Sequence, residues 1–274
     1  ISRTQEESGI SRIQEESGIS RMGKDAPPGE GYLPVVPGTN ISPETIVAQA
    51  KARGCASISC TYTEPTVYFE LALDIAVNAR ENGLYNIFVT NGFMSRKALK
   101  MAAPFLDAAN VDLKAFTDGF YKKWCNARLG PVMDNLVLMK SLGILVEVTT
   151  LIIPGLNDSP RDLGEMARFI VKELGEETPW HLSRFHPCYQ MTDRNATPIS
   201  TLQDASAMGR DAGLRYVYTG NVPGLNSENT FCHHCGKLLI QRHSYTIKNH
   251  MTPEGACPQC GTELYGIFHA PEKK

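Results

Sequence analysis

Charged and amide side chains follow three short apolar runs in this chain. Glu64 comes shortly after the run Ala56–Tyr62, Asn91 follows a second run, and Asp112 and Lys114 lie at the end of a third. Because the carboxyl ends of parallel strands meet at one edge of a sheet, we expect these side chains to share one site. A carboxylate binds an ammonium and an ammonium binds a carboxylate, so the set suits a ligand with a charged amino acid end and a ribose.

Each of these residues also has a purely structural interpretation. Glu64 precedes a predicted helix, where the macrodipole favours an acidic residue. Asp112 and Lys114 can form an ion pair, Asn91 begins an Asn-Gly pair that is typical of turns, and Asn157-Asp158 is predicted to cap the helix that follows it. A ligand site is favoured because all these groups are expected at the same edge of the sheet.

The elements that must position these residues alternate regularly from Ser42 onward. Strand and helix patterns alternate six times with short connections, which indicates a parallel sheet with right-handed crossovers. Such a sequence of units fits either a doubly wound sheet or a partial barrel. The predicted strands are Ala56–Tyr62, Asn86–Val89, Ala109–Leu113, Ile144–Ile153, Trp180–Phe185 and Leu214–Tyr218.

The third and fourth strands favour the barrel. Residue alternation places Asn110, Asp112 and Lys114 on one face of the third strand, and Glu147 and Thr149 lie in phase on the fourth. Strands that are covered by helices on both faces are nearly all apolar, whereas an open barrel lined for a ligand has a polar inner face. We therefore predict an α/β fold with a partial (β/α)6 barrel.

Two C-x-x-C-G turns near the carboxyl end form the most specific pattern in the chain. Cys232 and Cys235 form the first pair, Cys257 and Cys260 form the second, and 21 residues separate the two pairs. Four thiolates make a closed tetrahedral site, most simply for structural Zn²⁺, with iron in the same cage or disulfides as alternatives. We predict a small zinc-ribbon module over residues 228–268, because a segment with so few large apolar residues needs such a metal to fold.

The chain begins with a short repeat and divides into three predicted parts. Ile1–Gly9 recurs almost unchanged as Ile10–Gly18, and its low apolar content predicts disorder or a surface loop. We assign 1–40 to this low-complexity segment, 41–224 to the barrel and 228–268 to the ribbon. No chemistry is predicted for the first part.

Composition narrows the range of partners and compartments. The formal net charge of −2 gives no electrostatic reason to expect nucleic acid or an anionic membrane as a partner. No apolar run approaches the ~18 residues of a membrane span. A cytoplasmic location is therefore expected, and there eight reduced cysteines indicate metal binding or catalysis.

Several motifs occur together in one order, and they resemble those of a known family. The chain resembles the radical S-adenosylmethionine (SAM) enzymes of the AmmeMemoRadiSam system, relatives of the pyruvate formate-lyase activating enzymes. The resemblance runs from about Ser42 to Phe268. It rests on Thr61–Thr66 (TYTEPT), Val89–Gly92 (VTNG), Asn110–Ala115 (NVDLKA), Thr149–Asp158 (TTLIIPGLND), Trp180–Pro187 (WHLSRFHP), Gly220–Gly224 (GNVPG) and the four-cysteine ribbon.

The resemblance implies a [4Fe–4S] cluster and reductive cleavage of SAM to a 5′-deoxyadenosyl radical, which abstracts a hydrogen from a substrate. A protein is one candidate for that substrate. Glu64 would accept the methionine amino group of SAM. Asn91, Asp112 and Lys114 would lie near the ribose and the methionyl carboxylate, and Ile152–Gly155 would lie along the adenine.

One departure from the family pattern is serious. Such enzymes hold the cluster with a C-x-x-x-C-x-x-C loop after their first strand, and this sequence contains no such triad. Cys60 is expected to be a buried apolar thiol, and Cys125 and Cys188 are isolated. By resemblance the chain begins just past the missing loop, so we expect the chain as given to lack activity.

Two other functions remain open from the sequence. Lys114 at a strand end of a barrel would suit a Schiff-base lyase, and residues 228–268 could belong to a non-catalytic zinc-ribbon binding protein on a decayed barrel. The sequence does not name the substrate. It also leaves open which of His181, Arg184 and His186 faces the site, because this depends on the strand register.

Overall fold

The computed structural model describes residues 40–222, 226–243 and 246–268. The chain separates into two units, Ile1–Asn40 and Ile41–Lys274, and almost every described residue belongs to the second. The nine-residue repeat lies outside the described residues.

Six parallel strands form one sheet in the order in which they occur along the chain. This order confirms the prediction of successive strand–crossover–strand units. It fits the predicted partial barrel, because in a doubly wound sheet the strand order reverses. Observed strand bounds differ from the predicted ones by up to three residues. The strands are β1 (Ser57–Cys60), β2 (Tyr85–Thr90), β3 (Ala108–Asp112), β4 (Leu145–Ile152), β5 (Trp180–Arg184) and β6 (Val217–Gly220).

Helices cover the outer face of this sheet. Ser42 caps the first helix by accepting a hydrogen bond from the Thr45 amide. The helices are α1 (Pro43–Ala52), α2 (Phe69–Glu81), α3 (Arg96–Ala102), α4 (Asp118–Phe120, continued by a π-turn at Tyr121–Cys125), α5 (Leu129–Ser141), α6 (Pro160–Phe169, continued by a π-turn at Ile170–Leu174) and α7 (Ile199–Asp211).

The helix that is predicted to follow Glu64 is interrupted in the structure. A single 3₁₀ turn, Pro65–Tyr68, precedes α2, and Tyr68 has φ −122° between the two segments. The 3₁₀ turn places Glu64 at its N-cap, where the side chain accepts a hydrogen bond from the Thr66 amide. The break therefore holds the Glu64 carboxylate at the end of β1 instead of on a helix.

The two faces of the sheet differ as the alternation predicts. Outward-facing Val148, Trp180 and Leu182 are fully buried in the main hydrophobic core under the helices. Asn110 and Glu147 alternate with these buried positions and face inward, where they are half-buried. The polar inner face is therefore free to line a site.

The ribbon module, residues 228–268, contains a second sheet. Strands β7 (Thr230–Phe231), β8 (Leu238–His243) and β9 (Thr246–Asn249) pair antiparallel. Side chains of this module bond directly to the barrel: the Tyr218 hydroxyl lies 2.9 Å from the Thr230 hydroxyl, and the Lys140 ammonium donates to the Tyr265 hydroxyl over 2.9 Å.

Among the described residues, no helix combines the length and the apolar character needed to cross a membrane.

Candidate functional site

An open cleft of about 280 Å³ lies at the carboxyl ends of β1, β2 and β3. It brings together Glu64, Asn91, Asp112 and Lys114, four of the residues that the sequence predicts to share a site. We call it the rim cleft. Its other lining residues are Thr61, Tyr62, Thr63, Val89 and Thr90.

The Glu64 carboxylate is fixed by hydrogen bonds from its own turn and from β2. Its Oε1 accepts from the Thr90 hydroxyl over 2.7 Å and from the Thr66 hydroxyl over 3.2 Å, and its Oε2 accepts from the Asn91 amide over 2.7 Å. An ionised carboxylate has about four acceptor positions. Oε2 accepts one hydrogen bond from the described residues, so it keeps acceptor capacity for a ligand ammonium.

The loop that carries Asn91 depends on a close backbone approach. Gly92 has φ +69°, and a Cβ at this position would lie 2.7 Å from a methyl carbon of Val111. The buried Asn135 amide donates to the Gly92 carbonyl over 2.9 Å and to the Met94 carbonyl over 2.8 Å. The turn expected from Asn91-Gly92 is thus present, and a residue of α5 holds it in place.

Asp112 and Lys114 form the ion pair that was one interpretation of the sequence. The Lys114 Nζ lies 2.8 Å from the Asp112 Oδ2, and both side chains are between one third and two fifths exposed. The backbone amide of Lys114 donates to the Tyr121 hydroxyl over 3.1 Å. Burial raises the pKa of this phenol beyond its ordinary value of 10.0, so the hydroxyl stays neutral and can accept this bond.

Asn157 does not cap α6, which corrects the sequence prediction for Asn157-Asp158. Ser159 is the N-cap residue of α6. The buried Asn157 side chain accepts from the Ile153 amide over 2.6 Å and donates to the carbonyls of Lys114 and Leu151 over 2.6 and 2.8 Å. It therefore joins the loop after β4 to the end of β3, a role that requires a spatial neighbour and has no local sequence signal.

Gly155 is not among the residues that line the rim cleft. It lies in the loop after β4 with φ +72°, and its amide donates to the Asp158 carboxylate over 2.9 Å. A Cβ at Gly155 would lie 3.5 Å from the guanidinium of Arg194, whose Nη1 donates to the Pro154 carbonyl. The residue thus belongs to the same rim of the barrel but to a different part of it.

The register of β5 decides which of its polar residues faces inward. His181 is half-buried on the inner face, and its Nε2 lies 3.0 Å from the Glu147 Oε2. Arg184 instead donates from Nε to the Thr197 carbonyl over 2.8 Å, and His186 is exposed. Of the three candidates, His181 is the one in contact with the polar inner face.

A chain of hydrogen bonds crosses the inner face from β4 to β3 and back. The Thr149 hydroxyl donates to the Asn110 Oδ1 over 2.7 Å, the Asn110 amide donates to the Glu147 Oε2 over 3.4 Å, and Glu147 bonds to His181. Burial raises the pKa of the Glu147 carboxyl, but the bond and charge of His181, with smaller effects of Asn110 and Arg242, outweigh it. The net pKa of Glu147 lies below 4.5.

Four sulfur atoms converge in the ribbon module as the spacing predicts. The Sγ atoms of Cys232, Cys235, Cys257 and Cys260 all lie within 4.8 Å of one another. The Cys232–Cys260 and Cys235–Cys257 Sγ distances are both 3.6 Å. Tetrahedral ligands about 2.3 Å from a zinc ion lie about 3.8 Å apart, so the cage fits Zn²⁺.

The remaining cysteines do not form a second cage. Cys60 is buried, as expected for an apolar thiol, whereas Cys55 and Cys188 are exposed and Cys125 is half-buried. Among the residues that the structure describes, the ribbon cysteines form the one group of three or more His, Cys, Asp or Glu side chains placed to hold a metal. These residues therefore do not fit a second, three-cysteine cluster site.

Three exposed residues on loops at the carboxyl rim have left-handed backbone. Tyr62, Tyr189 and Asn221 have φ of 71°, 52° and 59° and follow β1, β5 and β6. A positive φ at a tyrosine is uncommon and concentrates at functional sites. Neither tyrosine carries a sequence signal for this backbone.

Comparison with known proteins identifies the barrel. The model of the Radical SAM superfamily matches residues 31–170. Protein MJ0808 of Methanocaldococcus jannaschii is 48% identical over 231 residues, which are 84% of this chain and 68% of that protein. The isethionate sulfite-lyase activating enzyme of Nitratidesulfovibrio vulgaris is 27% identical over 165 residues, 58% of this chain and 53% of that enzyme.

Solved structures share the fold. A domain of the pyruvate-formate lyase-activating enzyme from Bacteroides vulgatus superposes with a TM-score of 0.54 at 14% identity, covering 61% of this chain and 99% of that domain. Streptococcus suis SuiB bound to S-adenosylmethionine superposes with a TM-score of 0.55 at 13% identity, covering 75% of this chain and 55% of SuiB. These structures share the fold, and the family model covers half of the chain: the chain belongs to the radical SAM superfamily.

Proposed function

We propose that this radical SAM chain binds SAM at the rim cleft. We further infer an activating-enzyme-like reaction of the AmmeMemoRadiSam type, in which SAM yields a 5′-deoxyadenosyl radical that abstracts a hydrogen from a substrate. The order of the sequence motifs and the similarity to an activating enzyme support this proposal. The convergence of Glu64, Asp112 and Lys114 on one cleft is the observation that carries it.

Each charged group of the cleft has a partner on SAM. The Glu64 Oε2 has acceptor capacity for the methionine ammonium, and the Lys114 ammonium, which uses one donor on Asp112, has two more for the methionine carboxylate. Asp112 can accept from a ribose hydroxyl. A cleft of about 280 Å³ holds this charged end, and the rest of the ligand extends along the rim.

The family's [4Fe–4S] cluster supplies the electron that cleaves SAM. Its thiolate ligands do not fit this sequence, because no C-x-x-x-C-x-x-C triad is present and the cysteines outside the ribbon are dispersed. The residues of this chain therefore account for binding and orienting SAM and do not account for the electron transfer. We expect the chain as given to bind SAM without cleaving it.

We propose that the cysteine cage holds structural zinc. Four ligands from the protein close the coordination sphere, which is typical of a structural site and leaves no position for a substrate. Iron in the same cage is the alternative, and metal analysis of the purified protein separates the two.

Titration calorimetry with SAM tests the main proposal. We expect saturable binding, weakened about tenfold or more by Asp112→Asn and by Lys114→Met, because each removes a charged hydrogen bond. Arg96→Gln, which removes an exposed charge on α3, is the matched control and should bind as the unaltered chain does. Equal affinity in all four proteins would contradict the proposed site.

The two alternative functions, a Schiff-base lyase and a non-catalytic zinc-ribbon binding protein, have less support. A Schiff-base lysine must react as a free amine, and Lys114 is ion-paired with Asp112. Borohydride trapping of a carbonyl compound on Lys114 would revive that alternative. A separate binding module would be independent of the barrel, whereas the ribbon bonds to it through Thr230 and Tyr265. One relative is an activating enzyme of isethionate sulfite-lyase, so a protein is one candidate for the substrate of this chain.

A further inference from the structure

A second cavity lies between the inner face of the sheet and the ribbon module. Its volume is about 570 Å³, within the range of sites for small molecules. We call it the inner cavity. Its polar lining on the sheet side includes Asn110, Glu147, Thr149, His181, Ser183 and Tyr218. On the ribbon side, Glu228, Thr230 and Arg242 provide polar groups.

Arg242 is the cation that the ribbon contributes to this cavity. Its Nη1 donates to the Glu228 carbonyl and to the Thr230 hydroxyl, both over 2.8 Å, and its guanidinium lies 5.6 Å from the centre of the Tyr218 ring. Among the ion pairs within 4.0 Å that the described residues form, none includes Arg242. The guanidinium is thus held in place while its charge and its other N–H groups remain available to a ligand.

The carboxylate on the opposite wall is already engaged. Glu147 accepts hydrogen bonds from Asn110 and bonds to His181, and the His181 ring stacks on Tyr218 with their centres 5.2 Å apart. The Arg242 guanidinium acts on Glu147 only through its charge and does not bond to it, so it remains the cation that can bind an anion. Its planar fork of donors matches carboxylate and phosphate oxygens.

The inner cavity and the rim cleft are neighbours along β3. Asp112 lines the cleft and Asn110, two residues earlier on β3, lines the cavity. Thr149 pairs in register with both Asp112 and His181. A ligand in the cavity would thus lie on the same face of the sheet as a ligand in the cleft.

We propose that the inner cavity binds a small organic anion whose carboxylate or phosphate contacts Arg242 and whose polar group contacts the Glu147–His181 pair. The ribbon module is then part of the ligand site as well as a metal-stabilised fold. Naming this anion as the substrate rests on the proposed function, whereas its binding does not.

Calorimetry on the full, zinc-loaded chain tests the proposal with two probes, inorganic phosphate and succinate, at constant ionic strength. We expect at least one probe to bind, and Arg242→Gln to weaken it about tenfold, the loss expected for one charged hydrogen bond. Binding of phosphate alone identifies a phosphate ligand, and binding of succinate alone identifies a carboxylate. Arg161→Gln, an exposed change on α6, is the matched control and should leave the affinity unchanged.

A barrel variant makes the test independent of ribbon folding. Glu147→Gln removes a negative charge from the cavity and should strengthen binding of the same probe several-fold. No binding of either probe, or equal affinity in Arg242→Gln and Glu147→Gln, would overturn the proposal. SAM titrations of the same proteins separate anion binding in the inner cavity from SAM binding in the rim cleft. Arg242→Gln should still bind SAM. If the unaltered chain binds no SAM, only the proposed function is refuted.

Discussion

The side-chain amide of Asn157 donates a 2.6 Å hydrogen bond to the main-chain carbonyl of Lys114. This bond ties the loop after β4 to the end of β3, where Asp112 and Lys114 line the rim cleft. The position of the Lys114 backbone therefore depends on a residue 43 positions later in the chain.

Asn157→Ala should destabilise the fold by about 2–4 kcal/mol, because it leaves buried backbone groups of Ile153, Lys114 and Leu151 without their partner. Urea unfolding measures the change. Asn249→Ala removes an exposed side chain that bonds to one backbone amide, and it should cost less than about 1 kcal/mol. Equal losses in the two variants would show that Asn157 has no special structural role.

Glu64→Gln should weaken SAM binding about tenfold or more while the protein stays folded. The change removes the charge that faces the ligand ammonium, and it introduces an amide group beside the Thr90 hydroxyl and the Asn91 amide. Calorimetry with SAM gives the affinity, and circular dichroism reports the fold. Glu70→Gln, an exposed change at the start of α2, is the control. Undiminished affinity in Glu64→Gln would exclude a direct contact with the ligand.

Glu147 should make stability depend on pH in the acid range. The pKa of Glu147 in the folded protein is below 4.5, its ordinary value in the unfolded chain. The ionised carboxylate therefore stabilises the folded protein fully above the unfolded pKa, and this stabilisation is lost as the pH falls through the folded pKa. We expect Glu147→Gln to show a smaller loss of stability between about pH 5 and pH 3 than the unaltered chain. Denaturant unfolding across this range provides the measurement. Thr149→Val retains the carboxylate and should keep the original slope, and a slope unchanged by Glu147→Gln would contradict the pKa assignment.

Cys257→Ser should abolish stoichiometric zinc binding and unfold the ribbon, since a closed four-thiolate site contributes folding free energy directly. Elemental analysis reports the metal, and proteolysis of residues 228–268 reports the fold. Cys188→Ser alters an exposed thiol outside the cage and should retain the metal. Full zinc content in Cys257→Ser would exclude that residue as a ligand.

Local patterns predict most of the architecture. The alternation of Asn110, Asp112 and Lys114 indicates a polar inner face, and the two C-x-x-C-G turns indicate the cage, because side-chain period and turn geometry are local properties. The end of the first strand pattern places Glu64 at the rim, because the carboxyl ends of parallel strands lie at one edge of the sheet.

Contacts between distant segments could not be predicted in this way. Asn135 and Asn157 each bond to carbonyls more than 40 residues away, and an asparagine in a helix or before one has many local interpretations. The contact of Arg242 with Tyr218 depends on how the ribbon packs against the barrel. Hydrophobic periodicity contains no information on that packing.

The strict alternation along β3 has a consequence for misfolding. A slip of one residue in its pairing with β2 or β4 would turn Val111 toward the ligand and bury Asp112 among the helices. Since the partly assembled sheet would then hold an unpaired charge in its apolar layer, such an error is unstable. If SAM binds the rim cleft as proposed, the fraction of molecules that bind SAM reports correct strand pairing, because molecules with mispaired strands lack the site.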